Sequence, residues 1–351
     1  MDLRKPVGFA AQPIDVDFGR RLLPFTTYHV PYAREMGLTE PQKAIVAQLN
    51  SRILANAFAL ETVDCLCGSR RFHRLASIDR YSVLQQTVVC RKCGLVQSNP
   101  RPTEAEYRRF YESDEYRLLY SGEDITAEWR ENFNSQTGRS ILDAVNPLVP
   151  IGPACRVLEI GAGGGWNLVA FRDAGAKVAG TDYSPKLVAL ANEHGIPMQA
   201  GGLDVVTGTW DVIILCHVLE HFCDPLGVLR TLSTRLNPLG VLYVEVPNIL
   251  RFHIGQLQSA HTYYFSPATL HEQCLKTGLT QVSHGVAHRI HQYAVFRRGQ
   301  QAASHVRPGR RPYREVLAAV GTEGAKEIMR IGLRATRLYG PIQRARGIVQ
   351  G

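Results

Sequence analysis

Eleven residues from Arg156 to Trp166, R-V-L-E-I-G-A-G-G-G-W, set a carboxylate beside a run of glycines. Val157, Leu158 and Ile160 form a short apolar run that reads as a buried parallel strand, and Glu159 sits inside it. Gly161, Gly163, Gly164 and Gly165 follow as a turn with no Cβ in the way, and a helical pattern begins at Asn167. A strand, a glycine turn and a helix N-terminus are the parts of a cofactor crevice in an open α/β sheet. A nicotinamide fingerprint, G-x-G-x-x-G, fails because its third glycine would fall on Trp166. The spacing present is acid-x-G-x-G-x-G. Asp182 lies about 20 residues past the turn, where a carboxylate can accept from both hydroxyls of a ribose. Three histidines, His217, His221 and His261, follow apolar runs that end at the same crevice, and imidazole is the usual general base near neutral pH. A second centre comes earlier. Cys65 and Cys67 in D-C-L-C-G-S and Cys90 and Cys93 in V-C-R-K-C-G-L read as a four-thiolate ribbon for a structural zinc ion. The first pair is C-x-C rather than C-x-x-C, so Asp64 and His73 are alternative ligands.

The elements that must hold these residues can be read on either side. Lys177 to Asp182 is a second strand, and Ser184 and Pro185 are the N-cap and first position of the helix after it. Met198 to Gly202 is a weak third strand, and Trp210 to Cys216 is a clear fourth. A helix runs through Leu236, the N-P-L-G turn follows, and Val241 to Pro247 is a fifth strand. Ser266 to Thr277 reads as a helix, with strands at Leu279 to Val286 and Gln292 to Arg297. Ahead of this region, Thr39 to Leu60 has helical periodicity, and Pro147, Pro150 and Pro153 mark a boundary. The expected parts are a helical extension (1–60), the ribbon (61–102), a helical connection (103–150), the α/β domain (151–300) and a basic tail (301–351).

The motif at Glu159, Gly161, Gly163 and Gly165, with Asp182, resembles the class I S-adenosylmethionine (SAM) methyltransferases. The resemblance covers roughly residues 150 to 300 and implies a seven-stranded Rossmann-like sheet with an antiparallel last hairpin. It implies SAM as cofactor, with Glu159 near its cationic end, Asp182 on the ribose and Asp204 at the adenine; a turn residue is the plain alternative for Asp204. H-V-L-E-H-F-C-D-P, residues 217 to 225, resembles the loop beside the methyl donor in small-molecule methyltransferases. As a bare string, H-x-x-E-H matches an inverted zinc-protease motif, but it follows a buried strand instead of lying within a long helix. It is nearer to the E-x-x-E-H metal site of ubiquinone-pathway O-methyltransferases, with His217 in place of the first Glu. D-R-Y at 79–81, C-R-K-C-G-L-V-Q-S-N-P-R-P-T and Y-R-R-F-Y resemble the zinc-binding amino-terminal domain of bacterial sugar C-methyltransferase relatives. S-A-H-T-Y-Y-F-S, residues 259 to 266, resembles their H-E-H-x-x-Y-F-S segment, with His261 on the second His. Ser259 and Ala260 replace the first His and the Glu, which counts against carbon deprotonation. Catalytic candidates are therefore His261, His221 and His217, with Glu245 and Asn248 as further crevice residues.

The resemblance points to methylation of a sugar, either nucleotide-linked or in a bacterial surface glycan. Two other classes compete: an RNA methyltransferase that grips nucleic acid with the ribbon, and a non-enzymatic partner protein on a degenerate fold. The fourth strand ends in C-H-V-L-E-H instead of an N-P-P-Y-like motif, and residues 65 to 103 lack a dense basic and aromatic face, so nucleic acid is disfavoured. The intact Glu159, Gly161, Gly163 and Asp182 argue against degeneracy. Net charge is +9, and ten Lys or Arg against three Glu after residue 300 put +7 of it in the tail. Thr322 to Tyr339 reads as a helix with Lys326, Arg330, Arg334 and Arg337 on one face. A solvated face is the plain reading, and an anionic membrane surface or substrate carrier is the sharper one. No apolar run approaches the roughly 18 residues of a membrane span, and M-D-L-R-K-P leads into no signal-peptide core, so a cytoplasmic location is expected.

Overall fold

A computed structural model describes residues 38–113, 115–120, 125–134, 136–299 and 311–335 of the chain. Expectations for residues 1–37, and for Arg337 and the rest of the tail past 335, lie outside the described residues. Among the described residues no helix is long and apolar enough to cross a membrane.

Helix α1 (Glu40–Leu54) opens on a capping box, with the Thr39 side chain accepting from Gln42 N and Pro41 in the first turn. Its Ile45, Val46, Leu49 and Ile53 are buried. It stops short of the expected Leu60 because Asn56 takes the left-handed conformation (φ 53°), which ends a helix. Strands β1 (Leu60–Glu61), β2 (Phe72–Ile78), β3 (Leu84–Cys90), β4 (Val96–Ser98) and β5 (Arg101–Pro102) follow. β2, β3 and β4 form an antiparallel sheet, and β1 pairs with β5. Four helices then cross to the main domain: α2 (Glu104–Glu112), α3 (Glu115–Tyr120), α4 (Ile125–Asn134) and α5 (Thr137–Val145).

The main domain alternates β6 (Arg156–Ile160), α6 (Trp166–Asp173), β7 (Lys177–Asp182), α7 (Pro185–Glu193), β8 (Met198–Ala200) and β9 (Trp210–Cys216). It continues with α8 (Pro225–Arg235), β10 (Leu236–Pro247), β11 (Tyr263–Tyr264), α9 (Pro267–Leu275), β12 (Leu279–Ala287) and β13 (His291–Arg298). Seven of these strands make one sheet in the order β12-β13-β10-β9-β6-β7-β8. β13 runs antiparallel to β10 and β12, and the remaining pairs are parallel. This is the class I methyltransferase arrangement. Val212, Ile213, Ile214 and Leu215 of β9 are fully buried, as a strand covered by helices on both faces requires. The strand order reverses between β6 and β9, so the carboxyl ends of β6, β7, β9 and β10 open on the crevice where such sheets bind ligands.

Two features depart from the linear division of the chain. β11 does not join the seven-stranded sheet. Tyr263 and Tyr264 pair with Gln97 and Val96 of β4 and complete a four-stranded ribbon sheet, β11-β4-β3-β2. The last helix, α10 (Arg311–Ala335), starts well before the expected Thr322. Pro312 fits its first turn, where no N–H is needed. The helix packs on the ribbon: Val316 and Val320 are buried with Leu75, Val89, Val96 and Tyr264. The fit is close at Gly94 (φ 79°), where a Cβ would come within 2.5 Å of the Pro312 carbonyl carbon. Lys326 pairs with Glu323 at 3.3 Å.

Candidate active site

The glycine turn after β6 and the end of β7 form the cofactor side of the crevice. Gly163 (φ 57°) donates its N–H to Asp182 Oδ2 at 2.9 Å, and a Cβ there would run into the Trp166 indole. Asp182 Oδ1 accepts from Ser184 N at 2.8 Å, so each oxygen keeps a further lone pair toward the crevice. Glu159 is 1% exposed. Its Oε1 accepts from Asn167 Nδ2 at 2.8 Å, while its Oε2 has no partner. Burial, with Asp182 and Glu245 adding, pushes this carboxyl up to about 8. An orphaned buried carboxylate beside bare backbone fits a cationic ligand. Asp204 lies in a 3₁₀ turn after β8 and accepts from Gly202 N at 3.0 Å, the local bond of a turn residue.

The second side is built from the loop after β9 and from residues 259–264. His217 has φ 56°, unusual for a residue with a Cβ. Its Nδ1 lies 3.5 Å from Glu220 and its Nε2 3.3 Å from Glu245. Burial alone would lower its pKa, but the two carboxylates outweigh it and raise the imidazole to about 10. Both ring nitrogens face carboxylates, an arrangement that favours the protonated ring over a free base. His291 Nδ1 lies 3.6 Å from Glu245, and its ring meets the His217 ring edge-on at 4.2 Å. Tyr243 Oη also donates to Glu245, at 2.6 Å. Sequence reasoning missed His291; only the pairing of Pro247 with His291 across β10 and β13 brings it here.

His221 and His261 form a second cluster, with ring centres 4.9 Å apart. His221 Nδ1 lies 2.7 Å from Tyr111 Oη and 3.1 Å from the Ala260 carbonyl. A carbonyl only accepts and a hydroxyl does either, so a proton on Nδ1 suits both neighbours and leaves the lone pair on Nε2. Burial lowers the His221 pKa. His261 is 4% exposed, its Nδ1 has no partner, and burial and then His221 push its pKa down to about 3. Glu220 is buried beside them, and one ligand atom each of Glu220, His221 and His261 lies within 4.8 Å of the others. Asn248 Oδ1 accepts from Leu250 N at 3.0 Å. It is Asp224 that caps α8, accepting from Gly227 N at 2.9 Å.

The four cysteines converge. Cys65 and Cys93 sulfurs are 3.5 Å apart, Cys67 and Cys90 sulfurs 3.7 Å apart, and all four sulfurs lie within 4.8 Å of one another. Ligands at about 2.3 Å around a tetrahedral zinc ion stand about 3.8 Å apart, so the set fits that ion. Neither alternative ligand reaches the cluster. Asp64 is exposed and paired with Arg70 at 3.1 Å, and His73 Nδ1 is hydrogen-bonded to Tyr313.

Part of the chain is similar to known proteins. Residues 129–284 match a family model described as a methyltransferase domain. That stretch takes in most of the main domain and is less than half of the chain. Among curated relatives, the ubiquinone biosynthesis O-methyltransferase of Xanthomonas campestris pv. campestris is 31% identical over 106 residues, 27% of this chain and 44% of that protein. The enzyme of the same name from Albidiferax ferrireducens is 29% identical over 118 residues, 30% of this chain and 46% of its own length. The chain thus spans under half the length of these relatives. Among solved structures, Burkholderia thailandensis 1,6-didemethyltoxoflavin-N1-methyltransferase, with its substrate and S-adenosylhomocysteine bound, is 19% identical. That match covers 59% of this chain and 96% of that one, with a TM-score of 0.47.

Proposed function

We propose that this protein transfers a methyl group from SAM to a hydroxyl of a sugar, nucleotide-linked or part of a bacterial surface glycan. The observation that carries the reading is the meeting of two neutral imidazoles, His221 and His261, beside a crevice lined by Glu159, Gly163 and Asp182. When bound, SAM would supply an electrophilic methyl carbon whose bond to sulfur breaks as the bond to the acceptor oxygen forms, leaving the neutral thioether. Glu159 offers its free oxygen to the cationic end, and Asp182 offers its remaining lone pairs to the ribose hydroxyls. His221 Nε2 takes the acceptor proton as its oxygen attacks, and the Nδ1 contact with the Ala260 carbonyl steadies the imidazolium formed. His261 stands next to it as a hydrogen-bonding wall. The cation at His217 balances the buried Glu220 and Glu245, so the acceptor does not meet two bare carboxylates. The four thiolates hold a structural zinc ion.

A second reading has support of its own. Tyr111 and Tyr116 stand edge-on to His221, with ring centres 6.1 and 6.3 Å away, and the curated relatives bear the name of ubiquinone-pathway O-methyltransferases. An aromatic hydroxyl is therefore the alternative acceptor. RNA is disfavoured because one face of the ribbon sheet is buried against the main domain and the other under α10. The first test is calorimetry of the purified protein with SAM, alongside the Asp182→Ala variant. Binding that the variant abolishes supports the donor site; no binding by folded, metal-replete protein overturns it. Radiolabelled methyl transfer to nucleotide sugars and to catechols then separates the two acceptor classes.

A further inference from the structure

The segment 255–262 carries His261 yet forms no strand of the seven-stranded sheet. Several of its hydrogen bonds run to the ribbon. Asp79, in the D-R-Y turn between β2 and β3, is 4% exposed and accepts four bonds. Oδ1 takes Tyr81 N at 2.8 Å and Val83 N at 2.9 Å. Oδ2 takes Tyr120 Oη at 2.9 Å and Ser259 N at 3.0 Å, an N–H it shares with Tyr120 Oη, also at 3.0 Å. All four partners donate, so the pocket is built for an acceptor-only group, a carboxylate. Arg80 N donates to the Leu257 carbonyl at 2.8 Å. On the far side of the histidine, Ser98 Oγ donates to the His261 carbonyl at 2.7 Å and Ser98 N to the Thr262 carbonyl at 3.0 Å. The main domain adds Thr262 N to the Glu220 carbonyl at 2.8 Å, which sets His261 against His221.

We propose that Asp79 is a positioning residue of the acceptor site: through Ser259 it clamps one end of the segment whose other end Ser98 holds, and so fixes where His261 stands. The ribbon is then a wall of the active site. This rests on the reading of His261 as acceptor-facing. Asp79 touches none of the cofactor-side residues Glu159, Gly163 and Asp182, so its loss separates the two halves of the site.

Asp79→Asn is the test, made in the full chain with its metal content measured. The amide keeps the shape but turns an NH₂ toward donors. Three readouts are compared with wild type: SAM affinity by calorimetry, ¹⁵N-histidine correlation spectra assigned with His261→Gln and His221→Gln, and hydrogen exchange of residues 257–265. The expected result is SAM affinity within twofold, unchanged metal and unchanged His217 and His291 signals. His261 signals shift or broaden, and the segment exchanges at least tenfold faster. Wild-type His261 signals and exchange in the variant overturn the proposal. If Asp79→Asn does not fold, Ser98→Ala removes the single bond to the His261 carbonyl and is judged by the same spectra. Failure of the methyltransferase reading looks different: wild-type protein that does not bind SAM, whatever the state of His261.

Discussion

Replacing Glu159 with Gln should stabilise the SAM-free protein while weakening its hold on SAM. The carboxyl is 1% exposed, with one oxygen unpartnered, and its pKa stands at about 8 against the ordinary 4.5. Between those values the folded chain binds a proton that the unfolded chain has lost, so stability falls as pH rises from 4.5 toward 8. The cost is absent below the lower value and complete above the upper one. At pH 7 it comes to about 3 kcal/mol, from about 1.4 kcal/mol per pH unit. Gln keeps the bond from Asn167 and carries no charge to bury. Its melting temperature at pH 7 to 8 should rise by roughly 4 °C, and the wild-type decline over this window should flatten. Calorimetry should show SAM binding weakened about 10- to 100-fold, the worth of one charge-assisted hydrogen bond. Scanning fluorimetry from pH 5 to 9 reads the first effect. A variant that melts no higher than wild type at pH 8 and binds SAM equally well refutes the reasoning.

Other expectations follow from the same geometry. Cys90→Ser should abolish the one zinc ion per chain expected in wild type, read by atomic emission, and should loosen the ribbon because three thiolates leave a position open. Arg101→Met removes a buried guanidinium that donates to Glu61, the Cys223 carbonyl and Tyr263 Oη, and should cost about 2 to 3 kcal/mol in urea unfolding. A value near zero means that the three segments do not depend on it. His217, held at about 10 against 6.5, contributes stability that is full below pH 6.5 and lost as pH rises through 10. His217→Asn should flatten that alkaline decline in a melting series, and an unchanged slope places the imidazolium elsewhere. His217→Asn should also leave the acidic limb of turnover in place, whereas His221→Asn should remove it.

What could be read in the chain was what lies close along it. The glycine turn, Asp182 and the cysteine pairs each sit within one strand-turn unit, where spacing and geometry are nearly the same thing. The strands of the main domain were legible for a like reason, since β6, β9 and β10 are apolar runs of strand length between turn residues. Long-range pairing hid the rest. His291 reaches Glu245 only through the β10–β13 register, and Asp79 reaches Ser259 across 180 positions. Tyr111, one aromatic residue in a helical stretch, reaches His221 only through the packing of α2. The string H-x-x-E-H does not say that Glu245 stands on the other side of His217. The start of α10 was missed because Gly, Arg and Pro before residue 314 weaken a helical pattern that the hydrophobic seat under Val316 restores.

β11 and α10 also bear on the order in which the molecule is made. The ribbon sheet takes its fourth strand from residues 263–264, and its outer face is covered by residues near 316–320. A ribosome releases the cysteines long before either part. During synthesis the thiols can gather early, because their loops are short, but the sheet around them stays one strand short until the main domain is almost complete. Its apolar side, with Val89 and Val96, is covered first by Ile249, Phe252 and Leu257 and stays partly bare until α10 emerges. The last described helix therefore completes the first small sheet, and a nascent chain halted before about residue 320 carries an unfinished ribbon, with a wet apolar face for chaperones to find.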